Sequence, residues 1–205
     1  MTAVEDLTIA FINHIRSDQF SAAYGAAKEI GMILNEGPAL LRATCLLMQA
    51  SALALDRDSE GEVRHIESAL DLLVGTQPAV VYERACALRM RGAELLRGFA
   101  LREASAAFDA AALANDSVDG LADLSAYANQ SVPPAVTLEG DMLDWVHPAY
   151  AREPSISIRS IAAILSCRPG VDRAEQNSQL RELAYCEALE CALRLQAAWK
   201  EGAQG

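Results

Sequence analysis

The stretch VVYERACALRMRGAELLRGFALREASAAFDAAAL, residues 80–113, decides the fold. Val80 to Leu96 and Leu101 to Leu113 each carry apolar residues at helical spacing, and Arg97-Gly98-Phe99 joins them. Glycine suits such a junction because it accepts left-handed backbone angles without a Cβ penalty. Gly92 is followed three residues later by Leu95, and the second helix places Ala104, Phe108 and Ala111 at spacings of four and three. Those spacings put the small–aromatic–small series on one helix face. Small residues let two helix axes approach closely, and an aromatic ring fills the gap beside them. The stretch reads as a helical hairpin.

The same pattern extends toward the N-terminus. Leu7, Phe11 and His14 or Ile15 recur at helical spacing in a helix that ends near Ser17-Asp18. A second helix follows with Phe20, Ala23, Ala27, Ile30 and Leu34 on one face, and Gly37-Pro38 closes that hairpin. Ala39 to Leu55 is apolar nearly all round, with Arg42 its only charge, which is the composition of a helix buried between neighbours. Asp56 to Gly61 breaks it, and a fourth helix carries Val63, Ile66, Ala69, Leu70 and Leu73 toward the core. Gly75 to Pro78 makes the next turn, and a further helix is expected over Leu121 to Asn129. No sustained period-2 alternation occurs, so the fold class is all-α.

The hairpins resemble tetratricopeptide repeats, in which small residues mark the helix–helix contact and aromatics fill the gaps. The hairpin of residues 80–113 matches best; the first places Phe20, Ala23, Ala27 and Ile30 equivalently, with Phe11 where the glycine would be. In the second, Ala50 and Ala69 fit while Glu62 stands at a small-residue position. Successive hairpins are offset by 39 and then 42 residues, longer than the repeat of about 34 in the family. The resemblance implies stacked antiparallel hairpins, a TPR-like α-solenoid over residues 1–129; a closed bundle is the other architecture that the pattern allows. Residues 130–205 form a second region. Pro133-Pro134, Gly140, Pro148, Pro154 and Pro169-Gly170 punctuate it, and a long helix from about Asp172 to Lys200 follows. That helix is expected to cap the last apolar face of the stack.

The chain carries 28 acidic and 17 basic side chains, a net charge of −11. Such a surface repels phosphate backbones and anionic lipid, which argues against nucleic acid or membrane as the main partner. The apolar run Ala43 to Leu55 has 13 residues, short of the roughly 20 that span a bilayer. The first twenty residues, with Glu5, Asp6 and Asp18, lack the pattern of a secretory signal, so a cytoplasmic protein is expected. Five cysteines, at 45, 86, 167, 186 and 191, form no Cys-x-x-Cys and read as reduced core thiols.

Signatures of chemistry are missing. His14, His65 and His147 lie far apart, and no His-x-x-x-His pair is present. No nucleophile elbow or phosphate-binding glycine loop occurs, and the acidic pairs Asp141/Asp144 and Glu187/Glu190 read as solvated faces. No catalytic residue, cofactor site or metal site is therefore assigned.

What the resemblance does imply is a groove lined by recurring positions of each hairpin's first helix. These are Thr8, Ile12 and Arg16 in the first hairpin and Leu47, Ser51 and Leu55 in the second. In the third they are Arg89, Ala93, Leu96 and Arg97. An apolar floor with arginines at its ends suits an amphipathic or acidic-flanked peptide. The expected function is a non-enzymatic adaptor or chaperone with a protein or peptide partner, a homodimer being compatible with it. Acidic repeat-built chaperones of bacterial secretion are similar in size class and charge. Two rival readings stay open: a helical regulator that binds a small molecule in an apolar pocket, and an enzyme whose site resembles structure.

Overall fold

In the computed structural model of the protein, residues 2–98, 100–114 and 173–202 are described. They form α1 (Ala3–Arg16), α2 (Phe20–Ile33), α3 (Ala39–Asp56), α4 (Ser59–Leu72), α5 (Pro78–Arg97), α6 (Leu101–Ala114) and α7 (Arg173–Gly202). No strand occurs among the described residues, and the chain is all-α as expected. The expected helix over 121–129, the proline-punctuated segment 130–170 and the boundary between 129 and 130 lie outside the described residues. The chain divides into two compact units, Met1–Glu83 with Glu187–Gly205, and Arg84–Cys186.

Local chemistry sets the helix ends in the first unit. Glu5 N–H donates to the Thr2 hydroxyl, while Thr2 N–H donates to the Glu5 carboxylate at 2.7 Å. This reciprocal capping box satisfies two donors that the first turn would otherwise leave open. The Thr2 backbone bond also lowers the pKa of Glu5. The α3–α4 turn passes through Arg57, which is left-handed with φ 66°, and the Asp58 carboxylate then accepts Gly61 N–H at 2.9 Å to start α4.

Packing in this unit follows chain order: α1 lies on α2, α2 on α3, and α3 on α4. The α2–α3 pair is antiparallel. The Ser21 hydroxyl, early in α2, donates to the Asp56 carboxylate at the end of α3, 2.9 Å away. Gly31, near the end of α2, instead faces Cys45 and Gln49 in the middle of α3. Phe11 and Ile15 of α1 meet a core that includes Ala23, Ala27 and Ile30 of α2, all fully buried. Helix α3 alone among the described residues has the length and apolar composition of a membrane span, yet 67% of it is buried inside the protein.

The C-terminal half of α7 belongs to the same unit. Trp199 Nε1–H donates to the Thr2 hydroxyl at 3.1 Å. In a solenoid each repeat touches only its neighbours; this bond joins the last helix of the unit to its first. The second unit holds the rest of α5, α6 and the start of α7's buried stretch, with Met90, Ala93, Leu96, Phe108 and Leu183 in its core. Gly92 lies against the Phe108 ring: a Cβ built there would stand 2.7 Å from Cδ1 and Cζ. Ala104 and Ala111 flank that ring on α6 and are fully buried, so the small–aromatic–small series marks the α5–α6 contact.

Candidate functional site

The groove positions fall in both units, and most are closed. Leu47, Ser51 and Leu55 are buried on α3, as is Thr8 on α1, whose hydroxyl donates to Val4 O at 2.7 Å. The Ser51 hydroxyl is turned back onto its own helix, donating to Met48 O at 2.8 Å. In the second unit Arg89 is only 1% exposed, and Ala93 and Leu96 are buried beside it in sequence. Arg89 is therefore not a cation presented at the surface. Of the ten positions first assigned, Arg16 is exposed and Ile12 and Arg97 are half-buried; the remaining seven are buried.

A cleft opens elsewhere on the first unit, where α2 and α4 end and α3 begins. Its volume is about 470 Å³, within the range of small-molecule and peptide side-chain pockets. Helix α2 contributes Lys28, Gly31 and Met32, and Asn35 follows from the α2–α3 turn. Helix α3 contributes Arg42, Cys45, Leu46 and Gln49, and α4 contributes Leu72. The antiparallel run of α2 and α3 explains the meeting, since residues 28–35 then lie beside residues 42–49.

Three features give the cleft its chemistry. The two cations line it without any acidic residue among its lining, although the protein as a whole is strongly acidic. Among the described residues neither the Lys28 nor the Arg42 side chain is engaged in an ion pair or hydrogen bond. Its inner wall is fixed. The Cys45 thiol donates to Ala27 O at 3.2 Å, and Gln49 Nε2–H lies 3.5 Å from the same carbonyl. Burial pushes the Cys45 thiol up to about 11, so this sulfur stays neutral and packs as a small apolar group. Gly31 keeps the space open, because a Cβ there would stand 3.1 Å from Gln49 Nε2.

The rim is apolar. Met32 and Ile33 at the end of α2 are 64% and 49% exposed, and Val74 just past α4 is 81% exposed. These are three of the six exposed large hydrophobic residues among those described, and all lie where α2 and α4 end. Sequence reading missed this site because its parts come from three helices. Arg42, as the only charge between Ala39 and Leu55, was the one visible sign of it.

A buried polar cluster lies in the same unit. Arg194 holds Glu83 with two bonds, Nε–H to Oε2 at 2.8 Å and an Nη–H to Oε1 at 3.2 Å, and pairs with Glu190 at 3.2 Å. The Tyr82 hydroxyl donates to Glu190 at 3.4 Å. Glu187 and Glu190 are 3% and 6% exposed, so this acidic pair is buried and not the solvated face expected from its spacing. The Arg–Glu fork ties the first turns of α5 to α7 and engages both oxygens of Glu83. Among the described residues no group of three His, Cys, Asp or Glu side chains is placed to hold a metal ion. His14 Nδ1 sits 2.8 Å from Gln19 Oε1, and His65 Nδ1 sits 2.7 Å from Gly61 O, which are local turn and helix contacts. Cys45, Cys86, Cys186 and Cys191 are buried free thiols. Trp145, His147 and Cys167 lie outside the described residues.

No family model matches the chain, and neither a curated protein nor a solved structure matches it.

Proposed function

We propose that this protein is a non-enzymatic binding scaffold, an adaptor or chaperone whose helical hairpins present a docking site for a protein or peptide. The observation that carries this reading is the α2–α3–α4 cleft, where Lys28 and Arg42 stand over an apolar wall on a chain of net charge −11. Unengaged cations that share the cleft with the exposed Met32 have no structural task in the unit and suit an incoming polypeptide. Methionine in particular adapts its shape to varied apolar partners. The TPR-like reading is retained as the proposed origin of the hairpins, supported by their chain-order packing and by the Gly92–Phe108 contact. The binding surface is placed on the cleft and not on the inner-groove positions, seven of which are buried. A second reading, a regulator that takes a small molecule, is favoured by the cleft's volume of about 470 Å³.

The test compares wild-type protein with the double variant Lys28→Glu, Arg42→Glu as bait in the native host's extract. Proteins recovered by the wild type and lost by the folded variant support the scaffold reading. Identical recoveries, or none with either bait, count against it.

A further inference from the structure

We infer that the occupant of the α2–α3–α4 cleft is an acidic, apolar peptide segment: a carboxylate side chain seated between Lys28 and Arg42, with a neighbouring apolar side chain against Leu46 and Leu72. The inference rests on the scaffold reading and adds the chemistry of the partner.

Charge sets the first half. On a protein with an excess of acids, cations readily find an acidic neighbour: Arg64 lies 3.2 Å from Glu60, and Arg194 is held by Glu83 and Glu190. Lys28 on α2 and Arg42 on α3 are left with no such partner among the described residues, on adjoining walls of one cleft. An acidic side chain placed there gains two charge-assisted contacts, and the guanidinium of Arg42 can hold it with two parallel bonds. A basic peptide would meet repulsion at the same point. The amide of Asn35 adds a neutral donor at the mouth.

Shape sets the second half. Leu46 and Leu72 line the interior, and Gly31 supplies no side chain where any Cβ would press on Gln49. A helix-interior glycine costs about 0.5–1 kcal/mol relative to alanine. Here it preserves depth enough for an apolar side chain. The occupant is a polypeptide because the apolar surface does not stop at the cleft. Met32 of the lining is 64% exposed, and Ile33, next to it in sequence, and Val74, two residues past Leu72 of the lining, are exposed as well, outside the lining itself. A chain crossing the end of α2 and α4 would cover them.

The test is selection of a random peptide library displayed on phage against the full protein, with the folded Lys28→Glu, Arg42→Glu variant as counter-selection. Helical content by circular dichroism confirms that the variant folds. Enriched peptides should carry Asp or Glu beside apolar residues. As labelled synthetic peptides they should lose about tenfold in affinity when that acid becomes the neutral amide, the size of one charge-assisted hydrogen bond. The charge-reversed variant should bind them more weakly still. Exchange of their acid for lysine should restore part of that loss in the variant alone. Methyl resonances of Met32, Leu46 and Leu72 should move on titration, while those of Leu183 in the other unit should stay. Enriched peptides that lack acids, or that bind the variant equally, overturn this inference and leave the scaffold reading standing. Absence of any enriched peptide, together with decanoate moving the same resonances, overturns both.

Discussion

Gly92 and Gly25 give the same substitution opposite consequences. Both lie inside helices, where replacement by alanine removes backbone freedom from the unfolded chain and gains about 0.5–1 kcal/mol. At Gly25 nothing lies within 4 Å of an added Cβ. Gly25→Ala is therefore expected to stabilise by the full propensity gain, about 0.5–1 kcal/mol. At Gly92 the added Cβ meets the Phe108 ring, 2.7 Å from two of its carbons. Phe108 is fully buried and cannot swing into solvent. Overpacking of this kind costs about 1–3 kcal/mol. Set against the propensity gain, Gly92→Ala should destabilise by about 1–2 kcal/mol.

Urea denaturation followed by circular dichroism reads the difference. With a slope of about 1–3 kcal/mol per molar urea, the midpoints of the two variants should separate by roughly 1 M, Gly25→Ala above wild type and Gly92→Ala below. The cause is isolated by Phe108→Leu, which removes ring atoms from the contact. In that background Gly92→Ala should become neutral or stabilising, a coupling of about 1–2 kcal/mol. If Gly92→Ala matches Gly25→Ala, or if its penalty persists beside leucine, then the α5–α6 contact is not built on that pair. The repeat-like reading of residues 80–113 would lose its best support.

Three further outcomes are expected. Ala104→Leu should overpack the same interface and cost about 1–3 kcal/mol, because Ala104 is fully buried; a thermal melt indistinguishable from wild type would contradict that placement. Arg194→Met should remove both hydrogen bonds of Glu83 and cost about 3–5 kcal/mol, whereas Glu83→Met with Arg194→Met should recover most of the loss; equal melts for the single and double variants would show that the fork contributes little. Cys45 has a pKa raised from 9.0 to about 11 by burial. Its stabilising term is full below about pH 9 and lost as pH approaches about 11. Wild type should thus lose stability over that window more steeply than Cys45→Ala, and parallel slopes would refute a buried neutral thiol.

Periodicity was enough to locate the helices, because each buries a stripe spaced at 3 and 4 residues: Phe11 and Ile15, Ala23 and Ala27, Ala104, Phe108 and Ala111. It was not enough to say which surfaces stay open. Carrying a groove onto Leu47, Ser51 and Leu55 supposed that these positions form an outer face of α3, yet all three are buried and the open side of α3 carries Arg42 and Leu46 instead. Glu187 and Glu190 show the converse. Their spacing looks like a solvated acidic face, and Glu190 is buried because Tyr82 and Arg194 answer it, one from more than 100 residues away. Local spacing carries no information about such a partner.

The cleft was hidden for a third reason: its cations are one helix apart and mean little until α2 and α3 are known to run antiparallel. One inference was nonetheless within reach of the sequence. A helix apolar on every side that keeps a single arginine must bring that guanidinium to water or to an acid, since burying it alone costs several kcal/mol. No acid lies within α3 before Asp56, fourteen residues beyond Arg42. The side chain of Arg42 therefore had to mark a place where this core helix reaches water or meets an acid of another element, and it stands in the lining of the cleft.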